Sequence, residues 1–270
     1  MISGMHLSVS EYIVWLGVLS LGLCNAGLLV RRKLYRKLPW LLAYLLVSSG
    51  YGAILFALQP HLSGRDYALA FWIQQFALLA ITLFLVYSFW RIGLAKYPGL
   101  YRTCAAVLLL SVAAGLLVVL LTSRSVPSIA VTLANWLNQW LYLFYRSAMF
   151  VAAVLLWAFF GFVRVFQIQV TPTIRNLALG LFLFVLAHIV LDSWTYLRGS
   201  PSATIVTYSH FLSALLLHSI WFGTILRYRA GEPVDTAPRP LGSGCQEDLE
   251  RQMDAINVAL LHLTGARRPR

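Results

Sequence analysis

Two ionisable residues, His188 and Asp192, interrupt the apolar run LALGLFLFVLAHIVLDSWTYL. Their spacing of four residues places both side chains on one face of a helix. An imidazole beside a carboxylate can bind a polar ligand, move a proton or hold a metal ion. Because charges are costly in an apolar environment, we expect both residues to face the protein interior and to have partners there.

Polar residues in other apolar segments lie at a matching depth. Four of them are 17 or 18 residues from the arginine at the basic end of their segment. The pairs are Gln74 and Arg91, Arg146 and Arg164, Asp192 and Arg175, and His210 and Arg227. At about 1.5 Å of rise per helical residue, all four residues lie about 25 Å from the basic end of their segment. The layer predicts a ligand pocket lined by Gln74, Gln75, Asn138, Arg146, His188, Asp192 and His210.

The residue types leave three interpretations of this layer open. Arg146 and Asp192 can form an ion pair that locks two helices together, or the whole layer can line a pocket for a small ligand. The third interpretation is a metal site made by His188, Asp192 and His210, or a haem held between the two histidines. No catalytic residue is predicted.

Other chemistries are excluded because their motifs are missing. Lysine occurs only at positions 33, 37 and 96, so the last apolar segment cannot form a retinal Schiff base. The sequence has no G-x-S-x-G, H-E-x-x-H or P-loop motif. Cys24, Cys104 and Cys245 do not have the spacing of a zinc site or of a disulfide framework.

The composition indicates that membrane helices position these residues. Apolar residues make up 60% of the 270 residues and charged residues only 11%, which is too little polar surface for a soluble domain. A net charge of +12 could suit nucleic acid, but the basic residues lie in short clusters at the ends of apolar segments. That distribution is typical of cytoplasmic loops, so we expect membrane lipids as partners and no nucleic acid.

Seven apolar segments, each of about 20 residues or more, can span a bilayer: 12–30, 39–59, 67–90, 103–122, 130–163, 174–197 and 203–226. On one side, their connections carry only Arg65, Arg124 and Arg198. On the other side they carry Arg31, Arg32, Lys33, Arg36, Lys37, Arg91, Lys96, Arg102, Arg164, Arg175, Arg227 and Arg229. The sequence therefore predicts an all-α, multi-pass protein of the bacterial inner membrane, with seven transmembrane helices, its N-terminus outside and its C-terminus in the cytoplasm.

Three internal features qualify this picture. The fifth segment is long enough either to project beyond the membrane or to face a polar interior with its first half. The run SSGYGA at 48–53 places small residues in mid-membrane, which favours close helix packing or a bend over a ligand contact. Tryptophans near the ends of the segments, among them Trp40, Trp90 and Trp221, are interpreted as belts at the membrane interface.

The C-terminal region follows the transmembrane domain, 1–229, as a tail of three parts. A Pro/Gly linker occupies 230–245, an amphipathic cytoplasmic helix 246–264 and a basic tail 265–270. The helix is predicted from the heptad-like spacing of Leu249, Met253, Ile256, Leu260 and Leu263. Two heptads are too few for a coiled coil alone, so we expect docking on a second copy, a cytoplasmic partner or the membrane surface. A frayed tail is the alternative.

The segments KLPWLLAYLLVSSGYG, KYPGLYR and YRSAMFVAAVLLWAFFGF resemble those of a group of bacterial seven-helix integral membrane proteins. The resemblance covers the chain to about Arg229 and implies the helix count, without an activity. The function that we expect is a sensory or receptor-like protein that binds a small ligand in the polar layer. The alternatives are a redox subunit carrying haem or metal, and a transporter; for the transporter we would expect polar residues that continue to the inner leaflet.

Overall fold

Every element of regular structure in the described part of the chain is a helix. A computed structural model describes residues 9–58, 61–95, 97–123, 133–166, 168, 170–198, 203–228 and 243–263. The α-helices are α1 (Val9–Arg31), α2 (Pro39–Leu45), α3 (Gly52–Leu58), α4 (Gly64–Gly93), α5 (Pro98–Ser123), α6 (Leu133–Val165), α7 (Pro172–Arg198), α8 (Ala203–Arg227) and α9 (Ser243–Leu263). A short 3₁₀ turn at Leu34–Arg36 follows α1, and a π-helical segment at Leu46–Tyr51 joins α2 to α3.

The helices begin and end at residues whose chemistry suits those positions. Ser63 precedes α4, and its Oγ accepts a hydrogen bond from the Asp66 N–H at 3.2 Å. Prolines start α2, α5 and α7, where the missing N–H would have no intrahelical partner. Arginines stand in the last turns of α1, α4, α6 and α8, where a cation is favourable beside unpaired carbonyls.

Six helical segments of the described part are long and apolar enough to cross a membrane: Tyr12–Arg31, Pro39–Leu58, Asp66–Gly93, Phe144–Val165, Pro172–Leu191 and Tyr208–Arg227. The predicted class, an all-helical polytopic membrane protein, is therefore confirmed. In α5 the described apolar stretch is shorter, Arg102–Ser111. The seventh span, expected at 103–122, and the orientation of the chain stay predictions.

The six spans form a closed ring. Helix α8 packs between α1 and α7, α7 packs on α6, and α6 packs on α4. Helix α4 then contacts α2 and the π segment, and both of these contact α1, which closes the ring. Helix α5 packs on α4 and α6. Since α4 contacts α6 directly, the ring closes without α5, and α5 lies outside it.

The π segment allows α1 to approach closely. A Cβ added to Gly22 would lie 3.2 Å from Cβ of Ser49, closer than the 3.5–4.0 Å at which carbon atoms pack. Ser49, one of the small residues at 48–53, therefore contributes to the close helix packing that the sequence predicted. The π-helical turn itself was not predicted; such turns occur mostly as single insertions into α-helices and are frequent at functional sites.

Two tryptophans expected at the membrane interface are instead core residues, so that interpretation was wrong for them. Trp90 and Trp221 are buried between helices. The indole of Trp90 donates to the Leu155 carbonyl at 3.1 Å, and that of Trp221 donates to the Leu177 carbonyl at 2.9 Å. An indole N–H taken out of water needs an acceptor, and a carbonyl on the facing helix provides one.

Helix α9 packs on the first turns of α5 in the same chain. The backbone N–H of Gly99 donates to Oδ1 of Asn257 at 2.6 Å, so a side chain of α9 caps the start of α5. Met253, Asn257 and Leu261 are buried on the packed face, whereas Ile256 is exposed. The sequence anticipated neither this docking surface nor the buried asparagine.

Candidate functional site

A cavity of about 380 Å³ lies at the centre of the ring of spans. All six spans contribute to it: Trp15, Val18 and Leu19 from α1, Tyr44, Ser48, Ser49, Gly52, Leu55 and Phe56 from the span containing the π segment, Tyr67, Phe71, Gln74, Gln75, Leu78 and Thr82 from α4, Tyr145 and Met149 from α6, Phe184 and His188 from α7, and Phe211, Ala214 and His218 from α8. Among described side chains, α5 and α9 contribute none. Its volume lies within the range of about 300–1,000 Å³ that is usual for small-molecule sites.

The structure brings three of the seven predicted pocket residues together in this cavity: Gln74, Gln75 and His188. Arg146 and His210 are not among its lining residues. His210 packs beside the cavity, with its ring centroid 4.5 Å from that of His188. The side chains of Asn138 and Asp192 lie outside the described ones, so the Arg146–Asp192 ion pair stays a prediction.

The hydrogen bond of His188 determines which of its ring nitrogens holds the proton. Nδ1 lies 3.0 Å from the Phe184 carbonyl, one turn earlier in α7. A carbonyl oxygen only accepts, so in the neutral ring Nδ1 carries the hydrogen and Nε2 carries the lone pair. The ring also packs on Phe184 at 4.2 Å between centroids, which fixes its position on the cavity wall.

Two cavity residues that the predicted pocket did not include have unpartnered polar atoms. Thr82 is 1% exposed and His218 is 2% exposed. Among the described residues, neither Oγ1 of Thr82 nor Nδ1 of His218 has a hydrogen-bond partner. A buried polar atom left unpaired costs about 1–3 kcal/mol, so a bound group that pairs with both would be stabilised here.

The π segment supplies a further part of the polar wall. Ser48 and Ser49 line the cavity from it, and Gly52 follows directly after it. The amide nitrogen of Gln74 lies 3.4 Å from the Val47 carbonyl within the segment, to which it donates. The sequence pointed to these small residues, but their helical spacing did not reveal that they face a cavity as well as a neighbouring helix.

The described side chains contain no cluster of three or more His, Cys, Asp or Glu residues with the spacing of a metal site. The predicted set of His188, Asp192 and His210 includes one side chain outside the described ones, so this metal site stays a prediction. The two histidine rings are in contact, at 4.5 Å between centroids. A haem held between them would need iron and two bonds to nitrogen in that space, so the rings as placed do not fit one.

Comparison with known proteins adds no assignment. No protein-family model matches the chain, and neither a curated protein nor a solved structure matches it.

Proposed function

We propose that this protein is a sensory or receptor-like protein of the bacterial inner membrane and that it binds a small ligand in the central cavity. The observation that supports this most is the presence of Thr82 and His218 in the wall of a cavity of ligand size. Each of these buried side chains has one polar atom, Oγ1 of Thr82 and Nδ1 of His218, without a hydrogen-bond partner among the described residues. Burying these polar atoms unpaired costs free energy, and a bound group that pairs with them would offset that cost.

The orientation belongs to the same proposal. Arginines end α1, α4, α6 and α8, and a chain that crosses the membrane seven times with these ends inside has its N-terminus outside and α9 in the cytoplasm. Helix α9 then reports whether the cavity is occupied, to a cytoplasmic partner or a second copy. Its position supports this role, because α9 packs on α5 and α5 packs on α4 and α6, which both line the cavity.

The binding proposal is tested by thermal unfolding of the purified chain with a library of small molecules. A ligand present at a hundred times its Kd stabilises the folded state by about 2.7 kcal/mol. The test variant is Ala214→Phe, which fills the cavity from α8, and the matched control is Ala57→Phe on the exposed side of α3. We expect compounds that stabilise the native chain and the control but not Ala214→Phe; stabilisation that survives in Ala214→Phe would contradict the proposal.

The orientation is tested by labelling Cys245 in a variant whose Cys24 and Cys104 are replaced by serine. A maleimide that cannot cross membranes should leave Cys245 unlabelled in intact cells and label it in inside-out vesicles. Labelling in intact cells would place the tail outside and would overturn the reporting role of α9.

A further inference from the structure

The described lining of the central cavity is uncharged. None of the described lining residues is Asp, Glu, Lys or Arg. In the low dielectric between membrane helices, an ion without a counter-charge loses several kcal/mol of hydration free energy without a compensating interaction. The described lining therefore disfavours carboxylates, phosphates and amines.

The walls select for a flat ring. Eight lining residues are aromatic: Trp15, Tyr44, Phe56, Tyr67, Phe71, Tyr145, Phe184 and Phe211. Aromatic side chains bind other rings in stacked or edge-to-face arrangements, which are worth about 0.5–1.5 kcal/mol beyond the area they bury. A cavity of about 380 Å³ is much larger than a water molecule or an ion and has room for one ring or two fused rings.

The polar groups select for a hydroxyl. His188 offers a lone pair on Nε2, because its Nδ1–H is held by the Phe184 carbonyl. An acceptor of this kind pairs with an O–H or N–H of the ligand and repels a carbonyl oxygen. The hydroxyl of Thr82 and the free ring nitrogen of His218 can pair with a second hydroxyl, which both donates and accepts.

We propose that the ligand is an uncharged hydroxylated aromatic compound of the phenol or hydroquinone class. This inference rests on the proposed function, since it names the ligand class of the same cavity. The ring lies between the aromatic walls, one hydroxyl donates to Nε2 of His188, and the opposite end of the ring pairs with Thr82 and His218.

The test measures binding of four matched probes to the full-length chain in nanodiscs, without oxygen, by calorimetry. The probes are naphthohydroquinone, its dimethyl ether, naphthoquinone and a hydroxynaphthoate. Losing a hydrogen bond to a buried acceptor costs about a factor of ten in affinity, so the quinone, which cannot donate to His188, should bind about tenfold more weakly than the hydroquinone. The dimethyl ether loses the donors at both ends of the ring and should bind about a hundredfold more weakly. The anionic hydroxynaphthoate should show no binding.

Two variants separate the hydrogen bonds from general effects on the fold. In His188→Phe the preference for hydroquinone over its dimethyl ether should fall about tenfold, because only the hydroxyl that faces Thr82 and His218 is still paired. A merely structural loss would not change this ratio. Thr82→Val should weaken hydroquinone binding, whereas the control Thr224→Val should not, because the Thr224 hydroxyl lies outside the cavity and donates to the Ile220 carbonyl at 2.7 Å. Equal affinities of the hydroquinone and its ether, or best binding of the anion, would overturn the inference.

The experiments distinguish a wrong ligand class from a wrong proposed function. If the quinone or the anion binds best and Ala214→Phe abolishes that binding, the cavity is a ligand site and only the class is wrong. If Ala214→Phe abolishes the binding of no probe and of no library compound, both proposals are wrong. A probe with an added alkyl tail distinguishes the source: stronger binding with the tail indicates a ligand from the membrane, and weaker binding indicates one from water.

Discussion

Replacing Gly22 by alanine should destabilise the protein, because α1 packs on the π segment at this residue. The added Cβ would lie 3.2 Å from Cβ of Ser49 and closer still to its Oγ. Carbon atoms pack at about 3.5–4.0 Å, so the two elements must separate by about half an ångström. Overpacking of this kind costs about 1–3 kcal/mol.

The matched control is Gly27→Ala in the same helix, where an added Cβ has nothing within 4 Å. The intrinsic helix preference of alanine over glycine, at most about 1 kcal/mol, applies to both variants and cancels in their comparison. The free energy of unfolding of Gly22→Ala should therefore lie about 1–3 kcal/mol below that of Gly27→Ala. The assay is reversible unfolding in mixed micelles of dodecyl maltoside and sodium dodecyl sulfate.

A second substitution identifies the cause of the loss. Ser49→Gly removes the side chain that the added methyl group would strike, so the double variant Gly22→Ala/Ser49→Gly should be more stable than the sum of the two single effects. Equal stability of the Gly22→Ala and Gly27→Ala variants would refute the packing argument. So would simple additivity of the two substitutions.

Three further predictions concern other contacts. In Gly99→Ala, the added Cβ would lie 2.7 Å from a backbone carbonyl of α9, so α9 should undock and its amide hydrogens should exchange faster while α1–α8 stay protected. Trp221→Phe should lower the free energy of unfolding by about 1–3 kcal/mol, because the Leu177 carbonyl loses its indole donor, whereas the lipid-facing Trp157→Phe should change it little. If Arg146 and Asp192 form the predicted ion pair, Arg146→Gln and Asp192→Asn should couple in a double-mutant cycle of thermal stability; additive losses would show that they do not touch.

The candidate site was predictable only in part. Polar residues in apolar segments indicated a site, and the structure places Gln74, Gln75 and His188 in one cavity. Matching depth could not show which of these residues face the same space, because a rotation of one helix turns a side chain away at unchanged depth. His210 lies at the expected depth in the sequence, yet the structure places it beside His188 and not in the cavity wall.

Some residues could not be predicted from the sequence for the same reason, because the sequence does not show which way a helix face turns. Thr82 is a single threonine in an apolar helix, where threonine usually bonds to a carbonyl of the preceding turn, as Thr224 does. Only the position of α4 beside the cavity makes Thr82 a candidate for ligand binding. For α9, the apolar spacing suggested that Ile256 is buried, but the neighbouring Asn257 is buried instead because the Gly99 N–H of α5 needs an acceptor.

Hydropathy and basic ends are properties of consecutive residues, so a helical protein that crosses a membrane is predictable from the order of the residues. That order also determined where most of the spans lie, since a span of about 20 apolar residues leaves little choice of boundary. The order of the helices in the ring, the place of α5 outside it and the cavity at its centre become visible only in the packed helices. These depend on which helix faces meet, and the facing of a helix is set by contacts between residues far apart in the chain, as when Asn25 of α1 donates to the His218 carbonyl of α8 at 2.9 Å.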